Sequence, residues 1–280
     1  MIKKNKIAIY SALLLSTALL LTSCNQTETI QTESIQTESN LEEIEYAGLN
    51  CVVVEDKNSV KIMKLFRQMQ AEGEKAGYCP LIILRDEETQ GDRSVLDEWL
   101  GIQSEDYNSL NDYTQFLLSE YKDIDVEEYF DSMSEFYLQQ AQWEEGEGQP
   151  YLLEIEKAGP QNELSVSFIK DIYIAKVPTD NPYEVLAYIP MGGYNDCPST
   201  DNHIAIAKKW YEEYGAVPCA VSYDTVQYYL AKPVTDDTSL EQLKKEHFIY
   251  CYDIVAQGVG SLEDLKRSNK GSRFWYFWWD

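Results

Sequence analysis

Apolar residues along this chain change their spacing several times, and each spacing predicts a different element. The first is an unbroken block, Ile7 to Leu21, preceded by Lys3, Lys4 and Lys6. It is too short to span a bilayer comfortably as a helix and has the layout of a secretory signal. From Gln26 to Asn40 a five-residue unit beginning Gln-Thr-Glu repeats three times with no apolar face, which predicts a flexible tether. Cys51–Val54 is a short apolar run and reads as a strand. Asn58 is placed to cap a helix in which Val60, Met63, Leu65, Phe66 and Met69 recur at helical spacing, closed by Gly73 and Gly77. Tyr78–Leu84 is a second strand, so the three elements suggest a βαβ unit.

Residues 86–150 read as helical. Leu96, Trp99 and Leu100 form one stripe, Leu110, Tyr113, Phe116, Leu117 and Tyr121 a second, and Val126, Tyr129, Phe130, Met133, Phe136 and Tyr137 a third. After Pro160 the pattern turns to β, with strands expected at 172–177 and 184–191. Pro198-Ser199-Thr200-Asp201 opens a helix whose Ile204, Ile206, Ala207, Trp210 and Tyr211 are expected to face inward, ended by Gly215. Strands follow at 217–221 and 225–230. Thr238-Ser239-Leu240-Glu241 has capping-box form and predicts a helix through Ile254, and Ser261 starts a shorter one. The last residues, Phe274 to Asp280, place Trp275, Phe277 and Trp279 on one face of a strand and Phe274, Tyr276 and Trp278 on the other. Aromatic residues on both faces predict a strand buried between layers. Together these elements predict an α/β (α+β) fold: a mixed β-sheet flanked by helices, with an acidic helical insertion at 86–150.

Length and composition agree. The 280 residues, 44% of them hydrophobic, are enough to bury a sizeable core, and one α/β domain is expected over 48–280. The formal net charge is −25, which repels polyanions and argues against nucleic-acid partners. Residues 86–150 carry 19 acids against 2 bases. The Glu-Gly-Glu-Gly-Gln-Pro run, 145–150, reads as a loop, and its carboxylates lack the spaced acids and central glycine of an EF-hand loop.

The apolar block ends Leu21-Thr22-Ser23-Cys24, which resembles the bacterial lipobox. That resemblance implies cleavage before Cys24 and a diacyl anchor on its thiol, with acyl chains such as palmitate. Two chains make attachment to membrane lipid stable. The expected organisation is a signal over 1–23, lipidated Cys24 and tether over 24–47, and a domain held on the outer, extracytoplasmic side of the cell membrane.

A second resemblance lies further on. Gly192-Gly193-Tyr194-Asn195-Asp196-Cys197-Pro198 is similar to a signature of the bacterial family called domain of unknown function 4253. Trp210-Tyr211, Tyr214-Gly215-Ala216, Asp224-Thr225, Lys232-Pro233, Glu246, Cys251-Tyr252-Asp253, Gln257-Gly258 and the terminal Trp-Tyr-Phe-Trp-Trp-Asp follow in order. The resemblance is strongest over 184–280 and weaker over 49–85. It implies a fold unit and candidate positions but no reaction. Two positions depart from the family pattern. Gln227 stands where the family has Glu, which removes a carboxylate partner from Asp224, and Tyr252 stands where it has Pro.

The candidate ligand-binding residues are therefore Asn195, Asp196, Cys197, Trp210, Asp224, Glu246 and Asp253. Asn195, Asp196 and Asp224 are expected to converge in one pocket, with Trp210 as a wall and Glu246 reaching in. The Gly192–Pro198 loop meets a helix N-terminus, where backbone N–H groups can hold a small anion or simply satisfy local side chains. It is neither a P-loop nor a dinucleotide motif, and no cofactor is expected. Five cysteines remain once Cys24 is lipidated. Cys51 and Cys79 begin what look like neighbouring strands and could pair. Cys197, His203, His247 and Cys251 could supply zinc ligands, though at no standard spacing, and Cys197 beside His203 could form a nucleophile–base pair. Two classes of function stay open. One is a non-catalytic binding module for a protein or small ligand. The other is a hydrolase or metal-dependent enzyme using Asp196, Cys197, His203, Asp224 and Glu246. The lack of a standard catalytic motif and the count of only two histidines favour the first.

Overall fold

The computed structural model describes residues 41–86, 107, 109–134, 159–166 and 169–279, all within one unit, Glu38–Asp280. The signal segment, Cys24, the repeat, the stripe at Leu96–Leu100, Phe136, Tyr137, the 145–150 run and Asp280 lie outside the described residues.

Seven strands form one mixed sheet: β1 (Glu43–Tyr46), β2 (Leu49–Val53), β3 (Cys79–Asp86), β4 (Ile169–Val177), β5 (Ala216–Val221), β6 (Thr225–Leu230) and β7 (Phe274–Trp278). Their order across the sheet is β1-β2-β4-β3-β5-β6-β7. Only β3 and β5 pair in parallel, Ile82 opposite Ala220; every other pairing is antiparallel. Since β2 and β3 both run antiparallel to β4, they are parallel to each other, and β4 fills the gap of the expected βαβ unit.

Helix α1 (Ser59–Ala76) joins β2 to β3. The Asn58 side chain accepts from Lys61 N, and the chain leaves through Gly77 in left-handed conformation (φ 76°). It thus runs through Gly73 rather than closing there. Its buried stripe of Ile62, Met63, Phe66 and Met69 covers one sheet face together with Ile82, Ile174, Cys219 and Phe274. Val60 faces water instead (62% exposed) and lies off the buried stripe. The other face is larger and holds α2 (Leu110–Glu120), α3 (Thr200–Tyr214), α4 (Asp237–Tyr250) and α5 (Leu262–Asn269). The result is a helix–sheet–helix sandwich. From the insertion, α2 and a helical stretch over 126–134, capped by the Asp125 carboxylate, are described. Thr114 Oγ1 on α2 donates to Ala187 O, tying the insertion to the body.

Four further sequence expectations change. Residues 184–191 form no strand: Pro182–Ala187 is a 3₁₀ helix with Val185, Leu186 and Ala187 fully buried. A run buried on all sides carries no period that separates strand from helix, and Pro182 starts the turn. The cap of α4 is Asp236, whose carboxylate accepts from Ser239 N, so Thr238 lies inside the helix. That helix stops at Tyr250, where Cys251 turns extended (φ −147°, ψ 98°), and a wide turn over Ile254–Val259 follows. Tyr211 points outward (37% exposed) and lies against the Tyr183 ring.

The tail meets its expectation on one face. Trp275, Phe277 and Trp279 are buried in the larger core and Phe274 in the smaller one, while Tyr276 and Trp278 are half-buried because β7 is an edge strand pairing only with β6.

Candidate functional site

The Gly192–Pro198 loop owes its shape to backbone geometry. Gly192 (φ 96°), Gly193 (φ 78°) and Asn195 (φ 45°) all take left-handed conformations. A Cβ on Gly192 would sit 2.1 Å from Pro198 O and 2.7 Å from His203 Nε2, so only glycine fits. Gly193 N donates to Pro198 O at 3.0 Å and Cys197 N to Tyr194 O at 2.9 Å, closing the loop on itself. Thr200 Oγ1 donates to Met191 O and pins the start of α3. At that start Ser199 makes no side-chain cap, and Asp201 places a carboxylate in the first turn, where it competes with any added anion.

This loop meets the connection between β5 and β6. Tyr194 Oη donates to Tyr223 O at 2.8 Å, and the two rings stack with centroids 6.3 Å apart. Asn195 and Asp196 are exposed and Asp224 is half-buried. Asp224 Oδ1 accepts from Ser222 Oγ at 2.7 Å and Thr225 Oγ1 at 2.9 Å, and its carbonyl accepts from Trp279 N. Burial raises the Tyr194 phenol above its usual pKa, and the charges of Cys197 and Asp224 raise it further. The Tyr194–Tyr223 hydrogen bond, one residue from Asp224, and the Cys197 N–Tyr194 O bond place Tyr194, Cys197 and Asp224 in one neighbourhood.

Beneath the loop lies a buried chain of polar groups. Cys197 Sγ is 3.4 Å from His203 Nε2, His203 Nδ1 is 2.6 Å from Tyr250 Oη, and Tyr250 Oη is 3.2 Å from Tyr228 Oη. His203, Tyr228 and Tyr250 are fully buried and Cys197 is nearly so. Burial drives the His203 imidazole down to about 3 and the Cys197 thiol up. Near neutral pH the chain is therefore an uncharged relay of thiol, imidazole and two phenols. Nucleophile, base and third group stand in order, yet the thiol is protonated and almost closed to solvent, the opposite of an activated cysteine.

Trp210 abuts the Tyr228–Tyr250 end of this relay, but it and Glu246 pair with each other in the core rather than lining the Asn195–Asp224 loops. Trp210 sits seven residues after His203 on α3, about 10 Å further along the helix. Its ring is fully buried, stacked on Phe277 at 5.5 Å and edge-on to Tyr228, His247, Tyr250 and Trp275. Its Nε1 donates to Glu246 Oε2 at 2.7 Å, and Gln242 Nε2 donates to Glu246 Oε1 at 2.7 Å. Burial raises the Glu246 pKa. Two buried side chains satisfying each other make a core contact, so the expected wall and reaching carboxylate are absent from the Asn195–Asp224 region. Asp253 is half-buried beyond the end of α4, where its Oδ1 accepts from Gln257 Nε2 at 3.0 Å.

The remaining sequence candidates separate as well. His247 Nδ1 is 3.0 Å from Asn269 Nδ2, and its ring sits edge-on to Trp210, Trp275 and Phe277. It is thus held apart from the Cys197–His203 contact, and among the described residues no three His, Cys, Asp or Glu side chains gather to hold a metal. Cys51 and Cys79 lie on β2 and β3 with β4 between them, opposite Ala175 and Val177. Two strand spacings make about 10 Å, beyond disulfide reach, and all five described cysteines are free.

Gln227 explains its own departure from the family pattern. It points to the opposite sheet face from Tyr228 and pairs with one backbone residue twice: Nε2 donates to Ser165 O and Oε1 accepts from Ser165 N, both at 2.9 Å. It is no partner of Asp224.

The sequence reading passed over Tyr194, Tyr223, Tyr228 and Tyr250. An aromatic in each of two facing loops was the available signal for the first pair. For the second, residues 203, 228 and 250 sit on three elements, and no spacing rule links them.

A groove of about 560 Å³ lies elsewhere, between residues 121–127 and the outer side of α3. It reaches Lys209 and Glu213 but none of the seven candidate residues.

No curated protein and no solved structure matches the chain. The matching family model begins at β4 and leaves out residues 49–85, so the weaker N-terminal resemblance lies outside it. Residues 173–280, which carry the Gly192–Pro198 loop, the buried relay and the aromatic tail, resemble the family described as Domain of unknown function (DUF4253).

Proposed function

We propose that this protein is a membrane-anchored extracytoplasmic lipoprotein whose folded domain is a non-catalytic binding module for a protein or small ligand. The anchoring half rests on Leu21-Thr22-Ser23-Cys24 and the apolar block before it. No helix among the described residues is long and apolar enough to cross a membrane. One observation carries the binding half: both histidines and most of the described cysteines, the groups best suited to nucleophilic or acid–base chemistry, are buried inside the fold. Burial holds His203 and His247 down at about 3 and pushes Cys51 and Cys79 up to about 11 and Cys251 to about 12. A catalytic acid or base works best with a pKa near the working pH, and these stand several units away. The loop above them presents exposed Asn195, itself at positive φ, and exposed Asp196 beside the Tyr194–Tyr223 stack. Strained, exposed polar residues on a pinned loop suit recognition.

Anchoring is tested by metabolic labelling with a palmitate analogue and detergent phase partition. Wild type is labelled and enters the detergent phase, whereas Cys24→Ala is unlabelled and unprocessed. An intact Met1 terminus on the wild-type cell fraction sinks the anchor. Binding is tested by thermal shift of the purified chain against panels of amino acids, sugars and short peptides, beside Asn195→Ala/Asp196→Ala. A ligand at a hundred times its Kd stabilises the wild type by about 2.7 kcal/mol and leaves the double variant unmoved. A second reading, a hydrolase or metal-dependent enzyme, draws on the order Cys197–His203–Tyr250. Turnover of any panel compound would favour it over the binding module.

A further inference from the structure

The parallel strands β2, β3 and β5 point their carboxyl ends to one end of the sheet. In open α/β sheets that is the end where ligands bind. There the β5–β6 connection, Ser222–Asp224, meets the Gly192–Pro198 loop through the 2.8 Å bond from Tyr194 Oη to Tyr223 O. The two rings lie near parallel, with 16° between their planes, and Tyr223 is 42% exposed. Asn195 and Asp196 stand exposed next to them, in the turn closed by the bond from Cys197 N to Tyr194 O. The charge here has one sign. Residues 186–207 and 216–231 contain no lysine or arginine, yet they bring Asp196, Asp201 and Asp224. Arg85, at the carboxyl end of β3, is turned to the Tyr46 ring, 5.6 Å away. A phosphate or carboxylate would therefore meet three acids and no base from these two segments, on a chain whose net charge is −25. A free amino acid or a peptide's C-terminus meets the same obstacle through its carboxylate.

We propose that the Tyr194–Tyr223 pair, with Asn195 and Asp196, is a binding site for a neutral oligosaccharide. The proposal rests on the binding module proposed above and names its ligand class. An aromatic ring is negative on its face, which attracts the weakly positive C–H groups on one side of a pyranose, and stacking also removes that apolar side from water. The hydroxyls around the sugar's edge both donate and accept, so they need both kinds of partner. The Asp196 carboxylate accepts, and the Asn195 amide does both. An uncharged sugar also escapes the repulsion that the three aspartates impose on an anion. An ammonium ligand would be drawn by the carboxylates, but it accepts no hydrogen bond and leaves the Asn195 amide donor without a role. The loop closes on its own backbone bonds, Gly193 N to Pro198 O and Cys197 N to Tyr194 O. The ring and the two polar residues are thus positioned in advance, which lowers the ordering cost of binding.

The test is titration calorimetry on the full chain, in a detergent without a sugar head group. The neutral probes are maltotriose, cellotriose, mannotriose and chitotriose, and the charged ones are the trimers of glucosamine and galacturonate. The expected result is that a neutral trimer binds at least about tenfold more tightly than either charged one. Tyr223→Ala should weaken that binding about tenfold, the loss of one stacked ring. Tyr211→Ala, which removes an exposed ring on the outer side of α3, should leave it unchanged. Because Tyr223 is exposed, its loss leaves the core intact, and an unchanged melting temperature checks this. Failure of all four neutral trimers to bind, tighter binding of the glucosamine trimer, or binding indifferent to Tyr223→Ala overturns the proposal. The binding module itself is judged separately by the thermal-shift panel. If the neutral trimers fail but an amino acid or peptide still shifts the wild type and not Asn195→Ala/Asp196→Ala, the sugar class falls and the module stands. If nothing in either experiment binds, both fall.

Discussion

Lowering the pH from 7.5 to 5 should destabilise the domain through two imidazoles. His203 and His247 are both fully enclosed, one among Cys197, Tyr250 and Trp279, the other among Asn269, Trp210, Trp275 and Phe277. Burial holds each near 3 in the folded state, against an ordinary 6.5 once unfolded. A group depressed on folding stabilises the fold above its unfolded pKa and loses that contribution as pH falls towards its folded one. The window here runs from about 6.5 down to about 3. At pH 5 the unfolded chain holds about two more protons than the folded one, which costs about 2 kcal/mol per histidine and about 4 kcal/mol for the pair. Against a total of about 5–15 kcal/mol, that brings a marginal domain near unfolding. Glu246 works the other way: its pKa is raised on folding, so it recovers some stability as pH falls. Asp56, Asp236 and Glu241 are lowered by local hydrogen bonds and ion pairs. Being exposed, they add only a weak further loss at lower pH. Urea unfolding followed by tryptophan fluorescence at pH 7.5, 6.5, 5.5 and 5 measures the sum, and His247→Gln should remove about half of the slope. A stability flat between pH 6.5 and 5 in the wild type, or a slope unchanged in both His203→Gln and His247→Gln, would refute the reasoning.

Two further outcomes follow from the core. Phe277→Ala removes the ring stacked on Trp210 and should cost about 3–5 kcal/mol; deleting 274–280 should abolish a cooperative melt, and a truncated chain melting near the wild-type temperature would show the tail to be a surface feature. Gln227→Glu replaces the amide that both donates to and accepts from Ser165 with a buried carboxylate lacking a donor, at a cost of about 1–3 kcal/mol or more at pH 7.5. Once protonated, the acid regains a donor, so this variant's deficit should shrink as pH falls, and a deficit independent of pH would contradict the pairing.

The order and kind of most elements could be read from the chain because their signals are local. Asn58, Ser261 and Gly215 act within a turn of themselves, and the alternation in 225–230 needs only a two-sided sheet. The 184–191 run misled because complete burial erases the period, and the cap of α4 was displaced because Asp236 and Thr238 both suit an N-terminus. The site was less legible. Trp210, Glu246 and Asp224 are the residue types that line pockets, yet Trp210 and Glu246 satisfy each other in the core, and Asp224 is bonded by its chain neighbours Ser222 and Thr225. Whether a polar side chain faces a ligand or a neighbour depends on which distant element arrives beside it, as Tyr250 does for His203.

The strand order also says when the sheet can assemble. β2 and β3 are made early, but the strand between them begins only at residue 169, and the parallel partner of β3 begins at 216. A chain emerging from its N-terminus therefore holds two apolar strands with open edges until late in synthesis. Pairings as distant as Ile82 with Ala220 belong to the slow, topology-limited class of folding. The family-matched segment is no better placed alone. Starting at residue 173, it would keep most of β4 and all of β5 while lacking β3, the strand that joins them, so its hydrogen-bonding edges would face water or another chain. Residues 48–86 are thus the keystone of a domain whose recognisable signature lies almost entirely in its second half.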